Sequence, residues 1–375
     1  GPLPIRTVDR IVVLVQPGRR RERELERTAT ETRHRIPATP QVMGAVLAIG
    51  NFDGVHRGHQ AVLGRARDLA KEIGKRSGAV VFEPHPREFF APDQPFFRLT
   101  PLPVKLELLA ALGLDETFVI DFGPELSSLS AEDFAKDVIA QGLGASHVVV
   151  GYDFTYGKGR TGTPKELKAL GTKLGFGVDI VEPVANDGVV FSSSQVREHL
   201  RQGELEKAAE QLGYWWRVRG TVERGAGRGK GLGFPTANLR LAWGQDIAHG
   251  IYAVRVEHKG KRHQGAGYVG PRPTFGEGQP VIEVYLFNFD GDLYGEEIEV
   301  EFMAHLRADA TFANGEELAA QMRQDIRKAQ ALLMMCEMSD PIAHYPLARA
   351  LSSSTGLGAV ELLEPRANRG IARWM

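Results

Sequence analysis

The chain has one cysteine, Cys336, in 375 residues, which excludes a disulfide framework and a cysteine-rich zinc set. It also lacks an excess of either charge. Its 46 basic and 47 acidic residues leave a net charge of −1, so no general nucleic-acid or membrane partner is expected. No apolar run reaches the roughly 18 residues of a membrane span, and no charged-then-apolar leader opens the sequence. A single cysteine suits a reducing cytoplasm, so a cytoplasmic protein is expected, with oligomeric state left open. The length is enough for two domains with sizeable cores.

The pattern changes along the chain. From about residue 44 to 186, strand-like runs (Ala79–Phe82, Thr117–Ile120, His147–Val150, Val178–Val181) alternate with helical ones (Leu102–Leu112, Ala131–Ile139, Lys165–Leu174). This alternation predicts an α/β domain with a doubly wound parallel sheet. Ser130 with Asp133 reads as a helix cap and Pro164 as a first helical turn. From about 215 to 306 the period falls to two, broken by glycine turns. Ile298, Val300 and Phe302 share one strand face, as do Tyr285, Phe287 and Phe289, with Asp290-Gly291 turning the chain between them. A small antiparallel β-barrel is expected there. Leu318, Met322, Ile326, Ala329 and Leu333 form the stripe of a closing helix. The predicted organisation is an extension over 1–43, a first domain over 44–200, a linker helix over 201–214, a barrel over 215–335 and a second extension over 336–375. The two domains are expected to have separate cores. Neither extension shows the period of a packed element, so both are expected to be dispensable for folding.

The stretch Gly50-Asn51-Phe52-Asp53-Gly54-Val55-His56-Arg57-Gly58-His59-Gln60 joins the buried run Val46–Ile49 to a helical pattern through Val62, Ala66, Leu69, Ala70 and Ile73. Backbone N–H groups and the helix dipole converge at such strand-to-helix turns, which suits anionic ligands. His56 and His59, three apart, can face one phosphate and donate to charge building on it. A bare H-x-G-H is as often a surface or core feature, but the flanking strand, helix and glycines favour phosphate binding. Gly58 reads as a point of close backbone approach to a ligand. Metal binding by the pair lacks a tetrahedral partner set.

Three more segments fall in this domain. Phe82-Glu83-Pro84-His85-Pro86 and Gly151-Tyr152-Asp153-Phe154-Thr155-Tyr156-Gly157 each end a strand, at the same sheet edge as the histidines. Taken alone, the first reads as loop shaping and the second as packing. Phe191-Ser192-Ser193-Ser194-Gln195-Val196-Arg197 offers hydroxyls at a helix start and a guanidinium one turn inside, a polyphosphate grip or an ordinary serine cap.

In this order, with Arg98-Leu99-Thr100, these segments resemble the bacterial bifunctional riboflavin kinase/FAD synthetases. The resemblance implies a nucleotidyltransferase-like first module that adenylylates FMN. His56 and His59 would then bind the ATP phosphates and stabilise the α-phosphate in the transition state. Gly50, Asn51, Phe52, Asp53, Gly58, Asp153, Ser193, Ser194 and Arg197 would complete the nucleotide and FMN site. Two positions depart from the family: Ser194 stands where threonine is common, keeping the hydroxyl, and Asp153 stands where asparagine is frequent, adding a charge.

Gly225-Ala226-Gly227-Arg228-Gly229-Lys230-Gly231-Leu232-Gly233-Phe234-Pro235-Thr236-Ala237-Asn238 is glycine-rich but no Walker A loop, since neither Ser nor Thr follows Lys230. It resembles the riboflavin kinases, in which the PTAN threonine and asparagine hold Mg²⁺ and ATP. Here those residues are Thr236 and Asn238, whose oxygens are of the kind Mg²⁺ accepts. Gly229, Gly233, Phe234 and Pro235 would line the ATP site, with Arg307 a further binding candidate. Glu283 corresponds to the kinase base, since an ionised carboxylate can accept the proton of the riboflavin 5′-hydroxyl. Without the resemblance it reads as the solvent face of a strand. Tyr268 stands where the family often has asparagine. The resemblance spans roughly residues 44 to 335. It implies two reactions in one chain, riboflavin to FMN and FMN to FAD, with Mg²⁺ and ATP. The alternatives are a single active module, another phosphorylated acceptor, or a flavin-binding sensor without turnover.

Overall fold

The computed structural model describes residues 11–15, 32–34, 44–186, 188–224, 234–271 and 280–353. Strands β1 (Ile11–Val15), β2 (Thr32–His34), β3 (Val46–Ile49), β4 (Ser77–Glu83), β5 (Glu116–Asp121), β6 (His147–Gly151) and β7 (Gly177–Val181) form one sheet in the order β2-β1-β5-β4-β3-β6-β7. The five from β3 to β7 are parallel, as the alternating pattern predicts. β1 pairs antiparallel with β5, and β2 with β1. Residues within the 1–43 extension therefore add two strands to the sheet edge, where a tail is expected from sequence.

The apolar run of β3 serves both faces of the sheet. Val46 and Ala48 pack with Val62, Leu63 and Ala66 of the helix Arg57–Glu72, while Leu47 and Ile49 join Phe134, Val138, Ile139 and Leu167 on the other side. A strand covered twice reads as continuously hydrophobic. The Ser130 side chain caps its helix by accepting from the Asp133 N–H. Thr163 and Glu166 form a capping box around Pro164. The chain leaves β3 toward β4 on one side, while β6 lies on the other, so Gly50 to Gln60 occupy the switch point of the winding. Open α/β sheets bind their ligands there.

A small hairpin, β8 (Ala185–Asn186) with β9 (Val189–Val190), precedes the helices Ser193–Gln202 and Leu205–Leu212. The second module then forms from β10 (Arg217–Thr221), β11 (Ala237–Arg240), β12 (Gly250–His258), β13 (Lys261–Pro271), β14 (Pro280–Leu286) and β15 (Glu297–Arg307). Their order is β10-β15-β12-β13-β14-β11, antiparallel throughout. The Glu223 N–H donates to the Asn238 carbonyl at 2.8 Å and joins the two edges. Ile298, Val300 and Phe302 fill the interior, and the helix Gly315–Met338 sets Ile326, Ala329 and Leu333 on its apolar side.

Two expectations are corrected. The modules do not have separate cores. One apolar cluster runs from Val46 and Leu99 through Leu205, Leu212, Tyr214 and Trp216 to Val254, Ile282 and Phe302. The predicted linker over 201–214 is itself packed, because Leu205, Ala208, Ala209 and Leu212 are buried along one helix face. The second correction concerns residues after Met338. Asp340 accepts from Trp215 Nε1 at 3.1 Å and from Arg255 Nη1 at 3.2 Å. Ile342 and Leu347 are buried, and the helix Pro346–Ser353 packs near the helix Leu102–Ala111. This strap is part of the fold.

Candidate active sites

The turn after β3 is backbone-strained and held from outside. Phe52, Gly54 and Val55 have φ of 48°, 84° and 42°. The buried Asp53 carboxylate accepts from the Leu99 and Thr100 N–H groups at 3.0 Å and from the Arg197 guanidinium. Gly54 N–H donates to Thr100 Oγ1 at 2.8 Å, and Ser193 Oγ to the Asp53 carbonyl at 2.8 Å. The barrel side contributes too: Tyr214 Oη donates to the Gly54 carbonyl at 2.8 Å, and Trp216 Nε1 to the Leu99 carbonyl at 3.0 Å. Asp53, Ser193 and Arg197, expected as ligand contacts, are thus brought together to brace the turn. Arg197 Nε also donates to the Phe97 carbonyl at 2.5 Å.

His56 caps the helix Arg57–Glu72 by accepting the His59 N–H on Nδ1 at 3.3 Å. An acceptor at Nδ1 puts the proton of the neutral ring on Nε2. The two rings stack with centroids 3.6 Å apart, and Phe52 meets His59 edge-on at 5.3 Å. Burial lowers the His56 pKa from 6.5 to about 4. It also takes His59 well below the usual histidine range, helped by His56, Lys105 and Arg197. The pair therefore offers hydrogen-bond donors without charge. A Cβ at Gly58 would meet the His56 ring at 3.0 Å, so this glycine makes room for the histidine. Asn51 Oδ1 and His59 Nδ1 are buried with no hydrogen-bond partner among the described residues. Buried polar atoms without partners are costly, and a ligand at this turn would supply them.

This burial has a pH consequence. Unfolded His56 takes up its proton near pH 6.5 and folded His56 only near pH 4, so the stabilisation is complete above 6.5 and lost as pH falls toward 4. Denaturant midpoints should hold from pH 8 to 7 and decline below 6.5. About 3 kcal/mol of that decline should vanish in His56→Asn, which keeps a capping acceptor. An unchanged acid slope in that variant would contradict the enclosed neutral ring.

Other groups complete this edge. Glu83, at the end of β4, accepts from the Arg98 guanidinium and stands 3.5 Å from Lys105 Nζ. Lys105 is fully buried, and burial lowers its pKa against the pull of Glu83. His85 caps the helix Pro86–Phe90, meets the Phe96 ring at a tilt with centroids 4.6 Å apart, and has its pKa lowered to about 4 by burial. Asp153 and Ser194 are exposed, the first just past β6 and the second on the helix that starts at Ser193. Sequence reasoning missed Lys105. Its signal is a lysine among the apolar positions of the helix Leu102–Ala111, where Glu107 is the other charged residue.

In the barrel, strand register assembles the second site. Asn238 faces Glu283, Glu283 faces Tyr268, Tyr268 faces Ile251 and Ile251 faces Arg307. Directly opposed residues share a face, so Asn238, Glu283, Tyr268 and Arg307 lie in one row. Ile282 and Val284, on the other face of β14, fill the interior. Asn238 Nδ2 donates to the Thr236 carbonyl at 3.1 Å, orienting its amide. Tyr268 Oη donates to Asp309 at 3.0 Å, and burial with that bond raises its pKa to about 12. Arg307, expected at the ligand, grips the buried Asp325 through Nε at 3.1 Å and Nη2 at 2.7 Å. Phe234 meets Tyr285 edge-on at 5.4 Å, beside the exposed Pro235. Gly229 and Gly233 lie outside the described residues. The described His, Cys, Asp and Glu residues form no cluster of three able to hold a metal. Thr236, Asn238 and Glu283 nevertheless provide the oxygen donors that Mg²⁺ prefers.

The fold and the two sites define a two-module protein, a doubly wound domain with a phosphate-type turn at its switch point, joined to a six-stranded barrel. Residues 39–195 match the family model for FAD synthetase, and residues 212–333 that for riboflavin kinase. A bifunctional riboflavin kinase/FMN adenylyltransferase of Pseudomonas fluorescens is 40% identical over 294 residues, covering 78% of this chain and 94% of the relative. The one of Escherichia coli K12 is 36% identical, covering 78% and 93%. A crystal structure described as a macrolide-efflux protein from Streptococcus pneumoniae aligns with a TM-score of 0.69 at 29% identity, over 77% of this chain and 93% of that one. The chain belongs to the bifunctional riboflavin kinase/FMN adenylyltransferase family. Among the described residues no helix is long and apolar enough to cross a membrane.

Proposed function

We infer that this chain makes FAD in two steps, phosphorylating riboflavin to FMN at the barrel and transferring AMP from ATP to FMN at the sheet edge, with loss of pyrophosphate. The observation that carries the reading is that each family-matched module keeps a built site, the neutral His56/His59 pair in one and the Asn238–Glu283 row in the other. Glu283 accepts the proton of the riboflavin 5′-hydroxyl as that oxygen attacks the γ-phosphate of ATP. Much of phosphoryl transfer rests on positioning, which the row supplies. His56 and His59 donate to the α-phosphate as an FMN phosphate oxygen attacks it and pyrophosphate leaves. Asp53 and Arg197 keep that turn in place, while Asn51, Asp153 and Ser194 contact the nucleotide and flavin. Thr236 and Asn238 would hold Mg²⁺, which neutralises triphosphate charge when bound. The lone cysteine suits a reducing cytoplasm.

Incubation with riboflavin, MgATP and protein, followed by chromatography of the flavins, should show FMN and then FAD. Unchanged riboflavin would point to binding without turnover, and FMN alone to one working module. Excess EDTA should stop both steps, whereas FMN formation at full rate in EDTA would remove the metal role of Thr236 and Asn238.

A further inference from the structure

The strap after Met338 lies beyond both family-model matches, the second of which ends at residue 333. It nevertheless reaches the histidine turn. Arg57, between His56 and Gly58, opens the helix Arg57–Glu72. Its guanidinium carbon lies 4.5 Å from the centre of the Phe191 ring and 4.6 Å from that of Tyr345. Nη1 donates to Tyr345 Oη at 3.3 Å and to the Glu210 carbonyl at 3.4 Å. Phe191 precedes the Ser192 cap of the helix whose Ser193 hydroxyl holds the Asp53 carbonyl. Arg57 is therefore where the histidine turn, that helix and the strap meet.

The strap is firm enough to act as a support. Asp340 anchors one end through Trp215 and Arg255, and the buried Leu347 anchors the other, with Tyr345 between them. The Arg57 stem is confined as well, since a Cβ on Gly213 would stand 3.3 Å from its Cγ. Gln60, one turn on, donates to the Val55 carbonyl at 2.8 Å and to the Leu212 carbonyl at 2.6 Å. We propose that Tyr345 is a positioning residue for adenylyl transfer, setting the His56/His59 pair through Arg57. The proposal rests on the reading of this turn as the adenylylation site. A long arginine side chain without an aromatic plate on one side regains rotamers, and the first helical residue loses its lateral stop. Small displacements of groups at a reacting centre reduce turnover more than affinity.

The test compares Tyr345→Ala with Tyr345→Phe in the full chain. Tyr345→Ala should lower kcat for FMN adenylylation on the order of tenfold, with KM for ATP and FMN within about twofold. Tyr345→Phe keeps the ring against the guanidinium and should restore most of the rate. Riboflavin phosphorylation should stay within about twofold in both variants, since the row on the barrel touches none of these groups. Without substrate, the ring NMR signals of His56 and His59 should shift in Tyr345→Ala and return in Tyr345→Phe. Adenylylation kcat within twofold of wild type in Tyr345→Ala, or a parallel loss of both activities with a lowered melting temperature, would overturn the proposal. A wild-type chain inactive on FMN would instead remove the functional reading, and the ring signals would still decide whether Tyr345 positions the pair.

Discussion

Replacing His56 and His59 together by alanine should leave riboflavin phosphorylation intact and cut FMN adenylylation about a hundredfold or more, so that FMN accumulates without FAD. The size follows from removing preorganised donors aimed at a developing oxyanion, each worth on the order of 3 kcal/mol. Burial leaves both rings neutral at pH 7, so what each offers the developing charge is its remaining N–H. His56 is also a helix cap, so the double variant should lose about 1 kcal/mol of stability as well. Comparing FMN and FAD by chromatography separates the two effects, because riboflavin phosphorylation reports on folding within the same sample. A folded double variant that lost both activities equally would sink the assignment of two sites.

Glu283→Ala should do the reverse, slowing riboflavin phosphorylation about a hundredfold while added FMN is still converted to FAD. Loss of a general base costs roughly 10²- to 10⁴-fold, and the lower end applies where positioning and charge neutralisation dominate. Asn238→Ala should act in the same direction, because it removes the amide oriented by the Thr236 carbonyl beside Glu283. Initial rates with riboflavin and with FMN, measured on each variant, make the comparison. Riboflavin phosphorylation within a few fold of wild type in Glu283→Ala would take the base role from this residue.

The parallel strands were legible because burial on both faces leaves runs such as Val46–Ile49 with no polar interruption. The barrel was legible because a half-buried strand alternates, as Ile298, Val300 and Phe302 do. The histidine pair could be placed for a local reason, since its strand, turn and helix are contiguous. What escaped was set by distant pairing. No spacing tells that Asn238, Glu283, Tyr268 and Arg307 stand in one row, because register between strands tens of residues apart decides it. Asp53 and Arg197 are 144 residues apart, and their pairing is likewise invisible to a local reading. Lys105 drew no notice in the run Leu102–Leu112, because nothing local shows that its ammonium turns to Glu83, 22 residues away. The strap was overlooked because Ile342 and Leu347 are single anchors in a turn and a short helix, which leave no period to detect.

The Tyr214 hydroxyl lies 160 residues downstream of the Gly54 carbonyl that accepts its hydrogen bond. A growing chain therefore presents the histidine turn and its Leu99 and Thr100 contacts long before Tyr214 and Trp216 emerge from the ribosome. At about 5–20 residues per second the wait is roughly 10–30 s. During that interval the left-handed residues Phe52 and Val55 lack the brace from Tyr214 and Trp216. The first module thus reaches its working form only as the second begins to appear, and gene fragments that end before Tyr214 should yield a sheet whose ligand turn is unfinished.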